Sequence, residues 1–361
     1  MTDAAPVIAR VEGGWGRLTL NRPSALHALN TQMCQIMAQA LLAWRNDPRV
    51  AAVMLDHTGP RGFCAGGDIR MIMESGAQDG VAARAFFAEE YRLNALLFGY
   101  DKPVVAFMDG VVMGGGVGIS APASYRIATE RTVFAMPETG IGLFPDVGGG
   151  WFLPRLVGET GMWLALTGAR LKAADCLLLG LATDYVPQGQ VEALKAQLLA
   201  DPGALDTLLT EREADAGEPP LARQRADIDR LFGAESVEAI LNALEADGGE
   251  WALAQLATLK SKSPQAMKVA YRQLRQGRDV QSFEAEMAVE YRIAARVSMS
   301  ADFREGVRAV IVDKDNAPRW DPPTLAQVTQ QKLDAIFEPL PEDEEWTPAH
   351  LNEGGAQRGR R

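Results

Sequence analysis

The chain has 361 residues, 47% hydrophobic and 23% charged, which is the composition of an ordinary folded protein. This length predicts one large domain with an appendage, or two domains, because a single core rarely serves so long a chain. The net charge of −11, with no compensating basic stripe, argues against a nucleic-acid partner. The longest apolar runs, such as residues 176–182, are too short to span a membrane.

The cysteines and the N-terminal residues give expectations about chemistry and location. Cys34, Cys64 and Cys176 are widely separated and form no CxxC pair, so neither a disulfide framework nor a zinc site is predicted. The first residues, MTDAAPVIARVEGG, contain neither an apolar segment nor an Arg/Ser-rich amphipathic stretch. We therefore expect a cytoplasmic location.

Short buried strands alternate with helices in the first part of the chain. In chain order the patterns predict a strand at 17–23, a helix at 31–47, a strand at 50–56, a helix at 81–100, a strand at 102–110 and two short strands within 124–136. Pro103 stands at the start of its strand, where a missing N–H does least harm. This alternation predicts an α/β core over residues 1–200.

The character of the sequence changes after Pro202. Residues 201–340 are predicted to form a helical C-terminal region, with an exposed loop at 211–224. Residues 341–361 are charged and glycine-rich, and we expect a loose tail on the surface.

Two glycine-rich stretches, GFCAGGDIR (62–70) and DGVVMGGGVGIS (109–120), follow the strands at 50–56 and 102–110. Where a strand gives way to a helix, backbone N–H groups are left free near the positive end of the helix. Two such groups aimed at one point make an oxyanion hole, which indicates acyl chemistry. The alternative is that these are tight turns in which glycine supplies positive φ. Neither stretch has GK[ST] or a clean GxGxxG, so no nucleotide phosphate cradle is predicted.

Two acids stand in unusual surroundings in the segment AMPETGIGLFPDVGGG (135–150). Glu138 and Asp146 lie among apolar residues, glycines and prolines, with no basic residue between them. Burial there would raise the pKa of a carboxyl group and suit it to acid–base or nucleophilic work. The alternative is that Asp146 caps a helix beginning near Gly148 and that Glu138 is a surface acid.

A third acid, Glu90, is predicted on the helix at 81–100. By helical spacing it shares a face with Phe86, Phe87 and Asn94, so it points partly inward, whereas Glu89 turns away. The alternative is a partly exposed helix acid.

The stretches FCAGGDIR, KPVVAFMDGVVMGGGVGIS and FAMPETGIGLFPDVGGGWFLPRL, in this order, resemble the crotonase (enoyl-CoA hydratase/isomerase) superfamily. More narrowly, they are similar to its 3-hydroxyisobutyryl-CoA hydrolase subgroup, as is the late segment VIVDKDNAPRWDPPTL (310–325). The likeness covers nearly the whole chain apart from the extreme ends and the loop near 211–224. It implies an α/β fold of ββα units in a spiral, with a helical C-terminal region, acting on an acyl-CoA.

The resemblance also implies roles for individual residues. The oxyanion hole would consist of the N–H groups of Ala65 and Gly115, with Gly66 and Gly114 beside them against the substrate. The thioester carbonyl of the acyl-CoA would lie between the two N–H groups.

The carboxylates distinguish reactions within the superfamily. Its hydratases use two glutamates, which map to Glu138 and to Gly118, where this chain has no side chain. The hydratase pattern has glycine at the position of Asp146, so the resemblance implies the Glu138/Asp146 pair of a hydrolase. Glu138 would act as nucleophile or as general base, and Asp146 would orient water or assist the leaving group. Glu90 would contact the acyl group, at its 3-hydroxyl.

The function that these implications favour is hydrolysis of 3-hydroxyisobutyryl-CoA, or a close 3-hydroxyacyl-CoA, in valine breakdown. The resemblance calls for no metal or redox cofactor. One alternative is an enoyl-CoA hydratase or isomerase using Glu138 alone, and another is a non-catalytic acyl-CoA-binding protein. Arg22 and Lys102 are candidates for contacting CoA phosphates. A homo-oligomer formed through the helical region is also expected.

Overall fold

The computed structural model describes residues 5–212 and 214–348. Its strands are β1 (Val7–Glu12), β2 (Trp15–Leu20), β3 (Ala52–His57), β4 (Val104–Met108), β5 (Val111–Met113), β6 (Tyr125–Ala128), β7 (Val133–Ala135) and β8 (Asp184–Tyr185). The main sheet has the order β1-β2-β3-β4-β6-β8, while β5 and β7 form a small separate sheet. Only the β1–β2 pair is antiparallel in these described sheets.

Helices follow or separate these strands and take over the second half of the chain. Up to residue 200 they are α1 (Thr31–Arg45), α2 (Ile69–Gly76), α3 (Val81–Phe98), α4 (Gly115–Ser120), α5 (Gly149–Phe152), α6 (Thr160–Thr167), α7 (Ala173–Leu178) and α8 (Gln188–Ala200). The later helices are α9 (Leu205–Thr210), α10 (Arg225–Phe232), α11 (Val237–Asp247), α12 (Glu250–Lys260), α13 (Pro264–Gly277), α14 (Phe283–Val297), α15 (Ala301–Val307) and α16 (Gln330–Phe337). A π-helical turn, Arg308–Val312, continues α15.

The central strands are apolar on both faces because helices cover both sides of the sheet. In β4, Val104 and Ala106 pack into the larger hydrophobic cluster, while Val105 and Phe107 pack into a second cluster with α8 and α9. Successive side chains of a strand point to opposite faces, so a strand buried on both faces has a continuous apolar sequence. This is the pattern from which the buried strands were predicted.

The strand β1 was not predicted from the sequence. It lies at the edge of the sheet and pairs with β2 alone, and most of its side chains, including Arg10 and Glu12, are exposed. A charged edge strand discourages pairing with other chains, but it lacks the apolar pattern by which a buried strand is recognised.

The small β5–β7 sheet brings two critical segments together. The helix α4 begins at Gly115, close behind β5, and the 3₁₀ turn Glu138–Ile141 follows β7 after two residues. Because β5 and β7 are parallel, their carboxyl ends lie at the same edge. The glycine-rich turn and Glu138 therefore meet there.

The predicted helical region shares one core with the α/β part. Phe283 of α14 stacks on Phe98 of α3 with ring centroids 4.2 Å apart and planes inclined by 6°. Both parts contribute to the larger hydrophobic cluster. The predicted boundaries at 1–200 and 201–340 stay predictions. Within the described residues no helix is both long and apolar enough to cross a membrane.

The prediction of a loose tail at 341–361 is partly wrong, because the first residues of this segment pack on α3. Trp346 is buried, and its indole N–H donates to the Ala88 carbonyl oxygen at 3.2 Å. Arg292 of α14 pairs with Glu345 at 2.8 Å. Apolar burial and ion pairing thus fix this segment, while residues 349–361 of the expected tail lie outside the described residues.

The predicted exposed loop at 211–224 is ordered in part. A 3₁₀ turn, Pro220–Arg223, ends it, and Leu221 in this turn is buried. The Leu221 N–H donates to Asp175 Oδ1 of α7 at 3.0 Å. The end of the segment is therefore attached to the core.

Candidate active site

A cavity of about 450 Å³ lies between the two glycine-rich turns, α3 and the π-helical turn after α15. The residues predicted to act on or contact the acyl group all line it, namely Ala65, Gly66, Glu90, Gly114, Gly115, Glu138 and Asp146. The side chains of Ile72, Phe86, Phe87, Ile141 and Leu143 give it an apolar lining. The fold thus brings three distant stretches of sequence into one concave site.

Backbone hydrogen bonds hold the two glycine-rich turns side by side. The Cys64 N–H donates to the Val111 carbonyl oxygen at 2.9 Å. Gly66 and Gly114 have φ of +119° and +46°, a region that favours glycine. A Cβ on Gly114 would also lie 3.0 Å from Oε1 of Glu138. Glycine at this turn therefore permits the backbone shape and the close approach of the acid.

The predicted oxyanion donor Ala65 is wrong. Its N–H already donates to the Leu26 carbonyl oxygen at 3.0 Å, and this pairing removes it from the site. The N–H groups of Gly67 and Gly115 donate to no backbone acceptor among the described residues, and both residues line the cavity. The carbonyl carbon of Gly66 is bonded to the Gly67 nitrogen. It lies 3.3 Å from the point that a Cβ on Gly115 would occupy. Gly67 therefore replaces Ala65 as the candidate partner of Gly115.

Glu138 begins the 3₁₀ turn after β7 and is 5% exposed. Its Oε2 is buried and has no hydrogen-bond partner among the described residues. Burial raises the pKa of this carboxyl group well above its usual range, and the nearby charge of Asp146 raises it further. The alternative of a surface acid is therefore wrong.

Asp146 lies in the loop before α5 and is also buried. Its Oδ2 accepts a hydrogen bond of 2.9 Å from the Tyr91 hydroxyl. Burial raises the pKa of Asp146 from 3.8 to about 7, while the bond from Tyr91 works in the opposite direction.

The Asp146 side chain does not cap α5, so that alternative is wrong. The helix begins after Gly148 without a side-chain cap. The N–H groups of Gly148 and Gly150 donate instead to the carboxylate of Glu290, at 2.8 and 2.9 Å. Because Glu290 accepts these N–H groups, the Asp146 carboxylate is not needed there and instead contacts Tyr91 and faces the cavity.

The inward orientation predicted for Glu90 is confirmed. Glu90 is 1% exposed and its Oε1 has no hydrogen-bond partner among the described residues, whereas Glu89 pairs with Arg92 at 2.8 Å. A Cβ on Gly115 would collide with Oε1 of Glu90. Burial raises the pKa of Glu90 well above its usual range, with contributions from the charges of Asp146 and Glu138.

The cavity therefore holds three buried carboxyl groups, those of Glu90, Glu138 and Asp146. Each raised pKa has burial as its largest cause, and like charges raise two of them further. Three carboxyl groups in one apolar cavity do not all ionise at neutral pH, because each charge opposes the next. The site is therefore able to hold protons at pH 7 as well as to accept them.

Position 118 is closed to any side chain. A Cβ on Gly118 would lie 2.6 Å from Cβ of Val147 and 2.8 Å from Nδ2 of Asn94. Both neighbours are buried. The missing second glutamate, noted from the sequence, thus corresponds to filled space and not to an open pocket.

Some polar residues at the site were not predicted from the sequence, among them Tyr91, Lys262 and Arg170. Tyr91 directly follows Glu90, but its contact with Asp146 depends on the fold. Lys262 and Arg170 line the cavity, and neither forms an ion pair among the described residues. Basic residues are common in the surface loops where these two lie, so no sequence signal separated them from others.

The candidates for contacting CoA phosphates do not line the cavity. Lys102 Nζ donates to the carbonyl oxygens of Trp44 and Asp47 at 2.5 and 2.8 Å, so it caps the end of α1 and its prediction is wrong. Arg22 forms an ion pair with Asp68 at 3.2 Å, and its role stays a prediction.

In residues 5–212 and 214–348 no three His, Cys, Asp or Glu side chains are placed so that they could hold one metal ion together. The expectation that the chemistry needs no metal or redox cofactor stays a prediction.

A family model described as enoyl-CoA hydratase/isomerase matches residues 15–337. The chain belongs to this family. The predicted crotonase-superfamily membership is thereby confirmed.

The curated relatives carry the name of the predicted subgroup. The chain is 45% identical over 339 residues to a protein of Danio rerio named 3-hydroxyisobutyryl-CoA hydrolase, mitochondrial, covering 91% of this chain and 88% of the relative. A human protein of the same name is 41% identical, with 94% of this chain and 90% of the relative covered.

Solved structures agree in fold. A carnitinyl-CoA dehydratase of Mycobacterium thermoresistibile is 42% identical with a TM-score of 0.91, covering 95% of this chain and 99% of that one. An enoyl-CoA hydratase of Rhodobacter sphaeroides is 38% identical with a TM-score of 0.88 and the same coverage. The predicted crotonase-type α/β fold with a helical C-terminal region is confirmed.

The prediction of a cytoplasmic location is wrong. The relatives from fish and human are both named as mitochondrial proteins. The prediction was based on the composition of a few N-terminal residues, which has no bearing on the folded domain or on its site.

Proposed function

We propose that this protein hydrolyses 3-hydroxyisobutyryl-CoA, or a close 3-hydroxyacyl-CoA, to the free acid and CoA. The observation that carries the proposal is the buried pair of Glu138 and Asp146 in a cavity where position 118 has no side chain. Hydration by two glutamates would require a second one at that position. The names of the relatives at 40–45% identity support the same reaction.

In the proposed reaction the thioester oxygen accepts hydrogen bonds from the N–H groups of Gly67 and Gly115. Negative charge develops on this oxygen when the carbonyl carbon is attacked, and fixed donors in an apolar cavity stabilise it. The support is that both N–H groups lack a backbone acceptor among the described residues and that their turns are joined.

Glu138 acts on the carbonyl carbon by one of two routes. As a nucleophile, its carboxylate forms a bond to that carbon, the C–S bond breaks, and water then opens the mixed anhydride. As a general base, it takes a proton from the water that attacks the same carbon. In both routes one water is consumed, and the thiolate leaving group is protonated to give CoA. Glu138 Oε2, buried and unpartnered in the described structure, is the atom suited to either role.

Asp146 acts in its ionised form and orients the water. Tyr91 holds one of its oxygens at 2.9 Å and stabilises the charge. The pKa of about 7 lets Asp146 exchange a proton near neutral pH.

Glu90 recognises the 3-hydroxyl of the acyl group. Its Oε1 is buried at the cavity wall beside Gly115, so the hydroxyl would lie close to the oxyanion site. A buried acid with no partner gains a hydrogen bond from such a substrate, and a substrate without the hydroxyl would leave it unpaired.

Lys262 and Arg170 contribute positive charge at the rim of the cavity, which suits the phosphates of CoA. Arg170 is exposed and Lys262 is half-buried. Hydrolysis of the named acyl-CoA would place the enzyme in valine breakdown. Association into a homo-oligomer is also part of the proposal and rests on the resemblance alone.

Release of free thiol from 3-hydroxyisobutyryl-CoA tests the proposal. The wild-type protein should release CoA, and Glu138→Gln should reduce kcat by about 10²–10⁴-fold, the usual contribution of one positioned acid–base group. Glu130→Gln is the matched control, because Glu130 is exposed and its contact with the Gln188 N–H at 2.9 Å can be kept by an amide oxygen. Equal rates for the two variants, or no thiol release by the wild type, would contradict the proposal.

The names of the two solved structures favour a second candidate, an enoyl-CoA hydratase or dehydratase. Incubation with crotonyl-CoA separates the two reactions, since hydration removes the enoyl absorbance without releasing thiol. A non-catalytic acyl-CoA-binding protein would bind both esters without turnover, and Glu138→Gln would change nothing.

A further inference from the structure

Val147, between Asp146 and Gly148, has an unusual backbone conformation. Its φ is +53°, in the left-handed region that a β-branched residue rarely adopts. Such a conformation persists only where the surroundings determine it. The feature therefore calls for a physical cause in the neighbouring contacts.

Those contacts come from Glu290 on α14. Its two carboxylate oxygens accept the N–H groups of Gly148 and Gly150 at 2.8 and 2.9 Å, and Gln273 Nε2 donates to it at 3.1 Å. Glu290 is fully buried. The segment that follows Val147 is thus attached at two points to a helix of the core.

The side chain of Val147 is directed at Gly118 of α4. The Cβ and Cγ2 atoms of Val147 lie 2.6 and 3.1 Å from the point that a Cβ on Gly118 would occupy, and Val147 is 1% exposed. Asn94 Nδ2 lies 2.8 Å from the same position, but the end of an asparagine side chain can rotate away. Val147 branches at Cβ and its backbone is fixed, so it cannot move aside as easily.

We infer that Val147 is a reaction-determining residue, meaning that it decides which reaction the site can catalyse. Its side chain fills the space beside Gly118, so that no second acidic side chain fits there. The inference rests on the proposed function and deepens it. Because that space is filled, Glu138 and Asp146 are the two acids that act on the thioester. A second glutamate facing Glu138, which hydration would require, is excluded sterically.

Asn94 gives the closed space a further property. It is fully buried, and neither its Oδ1 nor its Nδ2 has a hydrogen-bond partner among the described residues. In a Val147→Gly variant, the side-chain amide of Asn94 can donate to a carboxylate placed at position 118. The space therefore offers a polar partner to the acid that Val147 excludes.

A double-mutant cycle on stability tests the steric part. Gly118→Ala should lower the midpoint of thermal unfolding by on the order of 5 °C, because overpacking strains a core. Val147→Gly relieves the positive φ, and in its background the added methyl at 118 should cost no more than about 1 °C. Gly116→Ala is the matched control on the same helix: its Cβ would meet the Cys64 backbone at 2.5 Å, which Val147→Gly does not relieve. Unchanged stability of Gly118→Ala, or equal rescue of both alanine variants, would overturn the inference.

Activity tests the reaction-determining part. The double variant Val147→Gly/Gly118→Glu should hydrate crotonyl-CoA at least tenfold faster than Val147→Gly alone. A folded double variant without this gain would overturn the inference, and so would a folded Gly118→Glu single variant that hydrates as fast as the double. Thiol release by the wild type is measured in parallel, so that failure of the proposed function is seen separately from the outcome of the stability cycle.

Discussion

The Tyr91 hydroxyl donates a hydrogen bond of 2.9 Å to Asp146 Oδ2, within a site where Glu138 Oε2 has no partner among the described residues. This bond stabilises the charged form of Asp146 and opposes the effect of burial on its pKa. The charge of Asp146 in turn raises the pKa of Glu138. The ionisations of the two acids are therefore coupled, and a charged Asp146 makes Glu138 harder to ionise.

Tyr91→Phe should make Asp146 harder to ionise. Loss of a hydrogen bond to a charged group costs about 1.5–3 kcal/mol, so the pKa of Asp146 should rise by about one unit or more above its value of about 7. The acid limb of the profile of kcat/KM against pH should move to higher pH by a similar amount. Tyr100→Phe is the control, because the Tyr100 hydroxyl donates to the Leu41 carbonyl oxygen away from the site. A profile that does not move in Tyr91→Phe contradicts the role given to this bond.

Asp146→Asn should stabilise the protein at neutral and alkaline pH. Folding raises the pKa of Asp146 from 3.8 to about 7, so the folded state binds more protons than the unfolded state between these values. The free energy of unfolding therefore falls as pH rises through this window, and the loss is complete above it. The variant should be more stable than the wild type at about pH 8, by on the order of a few kcal/mol. Denaturant unfolding at about pH 8 and pH 4 measures this, and an advantage that is equal at both pH values would contradict it.

Glu90→Gln should weaken discrimination for the 3-hydroxyl group. An amide keeps the shape of the acid, but its NH₂ group replaces one carboxyl oxygen and can place a donor against the hydroxyl, so kcat/KM for the 3-hydroxyacyl-CoA should fall by about tenfold. The rate with the same acyl-CoA lacking the hydroxyl should fall less. Glu89→Gln, on the outer side of the same helix, serves as the control. Equal losses on both substrates would show that Glu90 does not contact the hydroxyl.

Lys262→Met should weaken substrate binding without altering the chemical step. A cation at the cavity rim attracts the CoA phosphates, so KM should rise by about threefold to tenfold with kcat nearly unchanged. The difference from wild type should shrink at high salt, which screens exposed charges. Lys260→Met, on α12 and 3.8 Å from Glu245, is the matched control. A fall in kcat with constant KM would instead mean that Lys262 acts on Glu138, whose charge offsets part of the lowering of the Lys262 pKa by burial and by Arg170.

The main elements were predictable because their patterns are local. The helix predicted at 31–47 is observed as Thr31–Arg45, and the one at 81–100 as Val81–Phe98. Buried strands were recognised by continuous apolar runs, whereas β1 was missed because it is a charged edge strand. A strand has a clear apolar sequence pattern only where its side chains are buried, and few side chains of an edge strand are buried.

The identities of the acids were also predictable, but their protonation and partners were not. Glu138 and Asp146 stood out by their apolar surroundings in the sequence. Their raised pKa values, and the hydrogen bond from Tyr91, depend on which distant elements pack over them. A carboxyl group's pKa is decided by desolvation and nearby charges in three dimensions.

The sequence by itself determined the α/β class, the glycine-rich turns, and the family to which the chain belongs. Only the tertiary structure decided which peptide groups of those turns are free: the Ala65 N–H is bound to Leu26, while those of Gly67 and Gly115 have no backbone acceptor among the described residues. It also decided that the space beside Gly118 is filled by Val147. The physical reason is that a motif fixes residue types along the chain, whereas hydrogen-bond pairing and excluded volume depend on residues brought together from far apart.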